Sequence, residues 1–206
     1  MKLIIARHAQ TNENVKKIDI GRDSNAPLNK EGKRQAKKLA EFLKKESIHF
    51  ACVSPQRRAA HTAEEVIKHH PNAKVEHAPH LKEQNLGIYE SLPKEEWREI
   101  RKNSKELFHL FKPPKGESYS ELQDRVKIFF HTLFGKHKND TVLIVSHGGT
   151  LGMLYLHLLG KEITEENYKA HKPENTAFSI LEIEDSKPLK IHKINSLEHL
   201  NRPVAY

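Results

Sequence analysis

Short apolar runs alternate with longer amphipathic stretches along most of this chain. Four strand-like runs, each apolar or β-branched and bounded by polar residues, are predicted at about 2–6, 49–54, 74–78 and 141–146. Between the first two runs, apolar residues recur at helical spacing: Ala36, Leu39, Ala40 and Leu43. Asn29 is the predicted N-cap of this helix. Strands that alternate with helices predict a mostly parallel sheet with helices on both faces.

Two further helices follow strand-like runs. One is predicted to begin at Ser54-Pro55, with Ser54 as the cap and proline at the first helical position, and to stop near His70-Pro71. The other is largely apolar, starts after Gly148-Gly149 and ends at Gly160. Both helices therefore leave the carboxyl end of a predicted strand.

The remaining segments complete the predicted fold. Residues 177–184 and 189–195, joined across 185–188, predict a hairpin at a sheet edge. From Glu90 to Phe134 the pattern is amphipathic and helical, with a break at 113–116. We expect this stretch to be a helical insertion over the crevice at the strand ends. The sequence thus predicts one α/β domain over 1–206, a three-layer sandwich with an antiparallel edge and a lid at about 90–134.

Charge and cysteine content narrow the classes of function. The chain has 35 Lys and Arg against 27 Asp and Glu, a net charge of +8. Its basic residues interleave with acidic ones, as in 94–99, and no recognised motif accompanies them, so we expect no nucleic-acid binding. No apolar stretch reaches the length of a membrane span, and the N-terminus turns polar too early for a secretory signal. With Cys52 as its only cysteine, the chain cannot form an internal disulfide, and we expect it to be cytoplasmic. We expect it to be a monomer or a homodimer.

Candidate chemical groups follow the predicted strands. Arg7 and His8 leave the first strand, and His147 leaves the fourth. Because ligands of open α/β sheets bind beyond the carboxyl ends of the strands, these side chains should share one crevice. Arg58, on the first turn of a helix, and Glu83, just past the third strand, are placed to reach the same crevice.

This set of residues suits a phosphoryl group. A guanidinium fork matches phosphate oxygens, and the glycine pair Gly148-Gly149 lets backbone N–H groups approach an anion at a helix start. The chain has no Walker-type loop and no paired aspartates at metal-ligand spacing. Histidine is then the remaining candidate nucleophile, because a neutral imidazole can attack phosphorus while cations stabilise the transition state. We expect no metal and no other cofactor.

The first motif resembles a known family signature. Residues 7–14, Arg-His-Ala-Gln-Thr-Asn-Glu-Asn, resemble the R-H-G-x-T-x-x-N signature of the histidine phosphatase superfamily, which has the phosphoglycerate mutase-like fold. Further stretches resemble family motifs in the same order: 27–36, 54–63, 81–90, 116–118, 145–149 and 175–177. The resemblance runs from the N-terminus to about residue 180.

The resemblance implies a role for each candidate residue. His8 becomes the phosphohistidine, and Glu83 protonates the leaving alcohol and later takes a proton from the attacking water. The implied phosphoryl-binding groups are Arg7, Asn14, Gly21, Arg58, His147 and Gly148. The implied substrate is a small phosphorylated metabolite. On spacing alone, Arg57 remains a rival to Arg58 for the pocket.

Several departures and alternatives stay open. Ala9 replaces the family glycine, while Ile20 and a spacing one residue longer weaken the assignment of phosphate contact to Gly21. The Q-T-N-E-N sequence of residues 10–14 and the short insertion favour a histidine acid-type phosphatase, a hydrolase of phosphomonoesters, over a phosphoglycerate mutase-type phosphotransferase. A catalytically inactive phosphoanion-binding relative is the other alternative. The segment 116–118 is either a helix cap or a substrate contact. Five basic residues of the insertion either favour an acidic leaving group or face water: Arg98, Arg101, Lys102, Lys112 and Lys115.

Overall fold

The computed structural model describes residues 1–185 and 187–202. Within these residues six strands form one sheet in the order β3-β2-β4-β1-β5-β6. The strands are β1 Lys2–Arg7, β2 Phe50–Val53, β3 Lys74–His77, β4 Thr141–Ser146, β5 Phe178–Glu182 and β6 Lys190–Ser196. The first four are parallel, and β5 runs antiparallel to both β1 and β6. The predicted mostly parallel sheet with an antiparallel edge is confirmed.

Helices cover both faces of the sheet. They are α1 Asn12–Val15, α2 Lys30–Leu43, α3 Arg57–Ile67, α4 Lys94–Asn103, α5 Tyr119–Lys136, α6 Gly148–Leu158 and α7 Glu165–His171. Successive side chains of a strand point to opposite faces. In β1, Ile4 accordingly packs in the apolar cluster of α2 and α3, whereas Ile5 packs in the cluster of α5 and α6. This arrangement is the predicted three-layer sandwich.

The helix starts match the sequence prediction at one point and depart from it at another. Asn29 caps α2, as predicted, by accepting the Gly32 N–H at 2.7 Å. The prediction that the next helix begins at Ser54-Pro55 is wrong, because α3 begins at Arg57. The buried hydroxyl of Ser54 accepts the Gln56 N–H at 3.4 Å and lies 2.7 Å from Nε2 of His147, but the N-cap position of α3 is Gln56.

The predicted insertion divides into two parts with different packing. Helices α4 and α5 are separated by residues 104–118, a wider break than the predicted 113–116. Leu122, Val126 and Phe130 of α5 lie in the same core cluster as Ile5 of the sheet. The apolar side chains of α5 are buried along most of the helix, so α5 belongs to a layer of the sandwich. A lid helix would leave part of its apolar face exposed. The part that differs from the core layer is α4 and its flanking loops.

The C-terminal hairpin lies at the predicted sheet edge, with β6 outermost. Its connection at 185–188 includes residue 186, which is outside the described residues. Among the described residues, no helix combines the length and the apolar character needed to cross a bilayer. The prediction that 1–206 forms one domain stays a prediction.

Candidate active site

The ends of β1 and β4 bring two histidines together. The backbone N–H of His8 donates to the Ser146 carbonyl at 2.9 Å, which continues the strand pairing by one residue. His8 and His147 therefore lie side by side, with ring centroids 5.1 Å apart. Both imidazoles are buried. The two rings therefore lie together at the carboxyl ends of β1 and β4, where the shared crevice was predicted.

The His8 imidazole is held in one tautomer. Its Nδ1 lies 2.8 Å from the carbonyl oxygen of Ala9, which can only accept, so Nδ1 carries the proton and donates. Burial, followed by the positive charges of Arg58 and Arg7, lowers the His8 pKa well below its usual 6.5. At neutral pH the ring is therefore uncharged, and Nε2 has a free lone pair. This is the nucleophilic form of histidine.

The second imidazole is oriented by a serine. Nε2 of His147 lies 2.7 Å from the Ser54 hydroxyl, and Nδ1 is buried with no partner among the described residues. Burial, then the charge of Arg58 and the closeness of the titratable His8 ring, lowers the His147 pKa well below 6.5. When Ser54 donates to Nε2, Nδ1 carries the proton. The ring then presents an unused donor to an anion beside His8.

Burial distinguishes the two neighbouring arginines. Arg57 is exposed, whereas Arg58 is fully buried, so Arg58 is the arginine whose side chain lies inside the fold. The terminal nitrogens of Arg58 donate to the carbonyls of Gly21 at 3.3 Å and Ser24 at 2.9 Å. Its Nε is buried and has no partner among the described residues. Burial also lowers the Arg58 pKa to about 10, so the guanidinium stays charged at neutral pH.

Arg7 lies against the start of α6. It donates through Nη1 to the Pro173 carbonyl at 2.8 Å, while its buried Nε has no partner among the described residues. A Cβ on Gly148 would lie 3.3 Å from Cζ of Arg7 and 2.9 Å from Cε of Lys172. Gly148 therefore permits close packing of this arginine on the helix start.

Asn14 is connected to His8 through a second amide. The Asn14 Oδ1 accepts from Nδ2 of Asn175 at 3.1 Å, and the same Nδ2 donates to the His8 carbonyl at 3.0 Å. Gly21, by contrast, uses its carbonyl to accept from Arg58 and from Nε2 of Gln56. Asn14 therefore lies beside His8, whereas the Gly21 carbonyl contacts Arg58.

The Glu83 carboxylate occupies the N-terminus of α6. It accepts the N–H groups of Gly149 at 2.9 Å and Thr150 at 3.0 Å, where the helix dipole favours negative charge. A Cβ on Gly149 would lie 2.6 Å from Glu83 Oε1. The second glycine of the pair therefore makes room for a carboxylate of the chain itself.

Sequence reasoning missed two polar residues that position the site. Ser54 orients His147, as described above. Gln56 accepts the Glu83 N–H at 2.8 Å and donates to the Gly21 carbonyl at 2.9 Å, so one side chain holds two loops of the site. Neither residue type indicates chemistry by itself. The available signal was their place in the motif-like stretch 54–63, four and two positions before Arg58.

The residue after His8 is accommodated by local packing. The Ala9 methyl group is buried in a small apolar cluster with Leu28 and Ala36. The Ala9 N–H donates to Thr62 Oγ1 at 3.0 Å. An alanine at this position is therefore compatible with the tautomer of His8.

Comparison with known proteins identifies the family. The sequence profile of the Histidine phosphatase superfamily (branch 1) matches residues 3–196. The chain belongs to this superfamily. This histidine phosphatase is 30% identical to a broad-specificity phosphatase of Saccharomyces cerevisiae, over 97% of the chain and 87% of that protein. It is 29% identical to phosphoserine phosphatase 1 of Hydrogenobacter thermophilus, over 97% and 94% of the two chains.

A solved structure shows the same fold. Phosphoserine phosphatase of Entamoeba histolytica, in complex with 3-phosphoglyceric acid, superimposes on this histidine phosphatase with a TM-score of 0.82. The two chains share 25% identity, and the match covers 97% of this chain and 98% of the other. The family motifs found in the sequence thus lie on the family's fold.

A cleft of about 30 Å³ lies beside Glu83 and the start of α6 in this histidine phosphatase. Its lining includes Glu83, Asp19, Tyr168 and Lys172. The Lys172 ammonium lies 5.1 Å from the centroid of the Tyr168 ring. Burial, and next the charge of Lys172, lowers the pKa of Lys94 to about 8. Among the described residues neither lysine forms an ion pair, although the carboxylates of Asp19 and Glu83 also line the cleft.

Other basic residues of the predicted insertion are engaged or exposed. Arg101 is buried and pairs with Glu165 at 3.0 Å, and Lys112 pairs with Glu121. Lys102 is exposed. Within the described residues, no three His, Cys, Asp or Glu side chains are grouped as metal ligands would be.

Proposed function

We propose that this histidine phosphatase hydrolyses phosphomonoesters without a metal ion, through a phosphohistidine on Nε2 of His8. The observation that carries the proposal is the His8–Ala9 hydrogen bond of 2.8 Å, which leaves Nε2 as a neutral nucleophile. The Nε atoms of Arg7 and Arg58 and the Nδ1 of His147 are buried and unpartnered among the described residues. These three nitrogens are the donors that a phosphoryl group would satisfy.

In the first step, the Nε2 lone pair of His8 attacks phosphorus and the bond to the leaving oxygen breaks. Glu83 donates its proton to that oxygen, so the product leaves as a neutral alcohol. Arg7, Arg58 and His147 stabilise the charge on the three equatorial oxygens. The first step leaves a phosphorylated imidazole and an ionised Glu83.

In the second step, water attacks the phosphohistidine. Glu83 takes a proton from the water as the new P–O bond forms, and the P–N bond breaks with its electrons returning to Nε2. Inorganic phosphate is released, His8 is again neutral, and Glu83 is again protonated. The hydrogen bonds of Glu83 to Gly149 and Thr150 keep the carboxyl in place through both steps.

We propose that the preferred substrate is a small phosphomonoester whose alcohol carries a carboxylate. The cleft is small, and the ammonium group of Lys172 in its lining, together with that of Lys94 close enough to feel the Lys172 charge, favours a leaving group that carries a carboxylate. The names of two relatives agree with this class, since both are called phosphoserine phosphatases.

A substrate panel tests the proposal. The enzyme, treated with chelator, is assayed for phosphate release from p-nitrophenyl phosphate, phosphoserine, 3-phosphoglycerate and glycerol phosphate. We expect hydrolysis of all four, with higher kcat/KM for the two carboxylates than for glycerol phosphate. Isomerisation of phosphoglycerate without phosphate release would support the mutase-type alternative. Binding of phosphate without turnover would support the inactive relative.

A further inference from the structure

A glutamate outside the proposed catalytic set joins the two loops that carry Glu83 and contact Arg58. Glu117 lies in the segment before α5 and is buried. Its Oε1 accepts from Nη2 of Arg125 at 2.7 Å, from Nη2 of Arg22 at 2.8 Å and from the Asn85 N–H at 2.9 Å. A single carboxylate oxygen therefore has three donors from three different segments.

Arg125 extends this contact to the backbone around Glu83. Its Nε donates to Glu117 Oε2 at 3.2 Å, so the pair is a bidentate fork. Its Nη1 donates to the carbonyls of His80 and Lys82, the latter at 3.1 Å. The arginine thus fixes the carbonyl of the residue that directly precedes Glu83.

The backbone of Glu117 holds the residues that follow Glu83. The Glu117 N–H donates to the Asn85 carbonyl at 2.9 Å, and the Glu117 carbonyl accepts from Gln84 Nε2 at 2.9 Å. Arg22 adds the neighbouring loop, whose Gly21 carbonyl accepts from Arg58. Every residue from Lys82 to Asn85, apart from Glu83 itself, is thus bonded to Glu117 or Arg125.

We infer that Glu117 is a positioning residue, which acts through Arg125 and the 82–85 backbone to hold the Glu83 carboxyl at the leaving oxygen. This inference rests on the proposed function, because it concerns the proton-transfer role of Glu83. The three acceptor interactions of Glu117 Oε1 leave little capacity for a substrate group. The segment 116–118 therefore serves the site from outside the cleft.

The experiment compares Glu117→Gln with Glu83→Gln on two leaving groups. Glutamine keeps the shape but loses the charge that pairs with two guanidinium groups. Since a displacement of about 1 Å can cost about 100-fold in rate, we expect phosphorylation by an alkyl phosphate to slow by about 10-fold to 100-fold. The burst with p-nitrophenyl phosphate should slow much less, because its leaving group needs little protonation.

A double-mutant cycle separates positioning from general stability. In the Glu83→Gln background, Glu117→Gln should slow alkyl-phosphate turnover by less than about 2-fold, since residues that act as a unit are non-additive. Glu95→Gln, which changes an exposed carboxylate paired with Arg98 at 3.3 Å, is the matched control and should not alter the leaving-group dependence. Thermal unfolding is recorded for every variant.

Loss of the Glu117 charge leaves two partly buried guanidinium groups, those of Arg22 and Arg125, uncompensated and can prevent folding. In that event Arg125→Lys, which keeps the charge and loses the fork, must show the same leaving-group pattern. An equal slowing of alkyl and aryl substrates, or full additivity with Glu83→Gln, would overturn the inference. If the unchanged enzyme hydrolyses neither substrate, the proposed function itself is wrong, and that outcome is distinct from the others.

Discussion

The Ser54 hydroxyl lies 2.7 Å from Nε2 of His147, although 93 positions separate the two residues in the chain. This contact fixes the tautomer in which His147 presents Nδ1 to the crevice. Ser54→Ala should lower kcat about 10-fold, because a displaced donor stabilises the transition state poorly. Steady-state kinetics with p-nitrophenyl phosphate measures the effect.

Ser146→Ala is the control for Ser54→Ala. Ser146 is also buried and its hydroxyl donates to the Leu81 carbonyl at 2.7 Å, but within the described residues this hydroxyl forms no hydrogen bond to the proposed phosphoryl-binding side chains. Both variants should lose about 1–3 kcal/mol of stability, since each removes one partner of a buried hydrogen bond. An equal loss of kcat in the two would contradict the role of Ser54.

Ala9→Gly should destabilise the fold and retain turnover. The variant loses a buried methyl group, worth about 0.8 kcal/mol, and gains about 0.5–1 kcal/mol of backbone entropy cost. The carbonyl of residue 9 still accepts from His8 Nδ1. Denaturant unfolding together with an activity assay checks both parts. A rise in turnover of 10-fold or more would mean that the alanine impairs the site.

Much of the site could be predicted because its chemistry lies at strand ends. His8, His147 and Arg58 follow apolar runs that are recognisable in the sequence, and the structure brings them together as expected. Gln56 and Glu117 could not be found in this way. Their partners are distant in the chain and are set by loop packing, which leaves no periodic signal in the sequence.

The start of α3 and the packing of α5 differ from the sequence predictions for related reasons. A serine before a proline is a good helix cap, but the Ser54 hydroxyl contacts His147, and the N-cap of α3 is Gln56. The apolar stripe of α5 did not reveal which surface it covers. Its inclusion in the core with Ile5 became evident only in three dimensions.

The pH dependence of the free energy of unfolding should follow the protonation of the two buried imidazoles, His8 and His147. Burial lowers the pKa of both His8 and His147 well below 6.5, so the reactive neutral forms persist in mild acid. The free energy of unfolding should decrease as pH falls below 6.5, because the unfolded chain then binds protons that the folded rings exclude. Urea unfolding from pH 7.5 to pH 5 tests the sign, and increased stability in acid would contradict it.

Recognition of acidic substrates should weaken in base. Four charged groups act on Lys94, the cations Lys172, Arg98 and Arg7 and the anion Asp19, and its pKa is about 8. As pH rises through this value, Lys94 loses its charge and KM for phosphoserine should increase. KM for glycerol phosphate should change less. Parallel changes for the two substrates would show that Lys94 does not select for the carboxylate.

Replacing Glu83 tests the assigned acid. Glu83→Gln cannot donate the proton, so alkyl-phosphate hydrolysis should slow by about 10²–10⁴. With p-nitrophenyl phosphate we expect a burst of nitrophenol and then a slow steady state, because removal of the phosphoryl group loses its base. Glu95→Gln, at an exposed position on α4, is the control. Unchanged hydrolysis of alkyl phosphates would exclude Glu83 as the acid.

Trapping the covalent intermediate shows directly whether His8 is the nucleophile. Chelator-treated enzyme is mixed with a labelled phosphomonoester, quenched in base within the first turnover, digested and analysed by mass spectrometry. We expect one phosphoryl group on His8, stable in base and lost in acid, and absent from His8→Ala, which should also be inactive. Full turnover by His8→Ala, or phosphate found only on another residue, would contradict it.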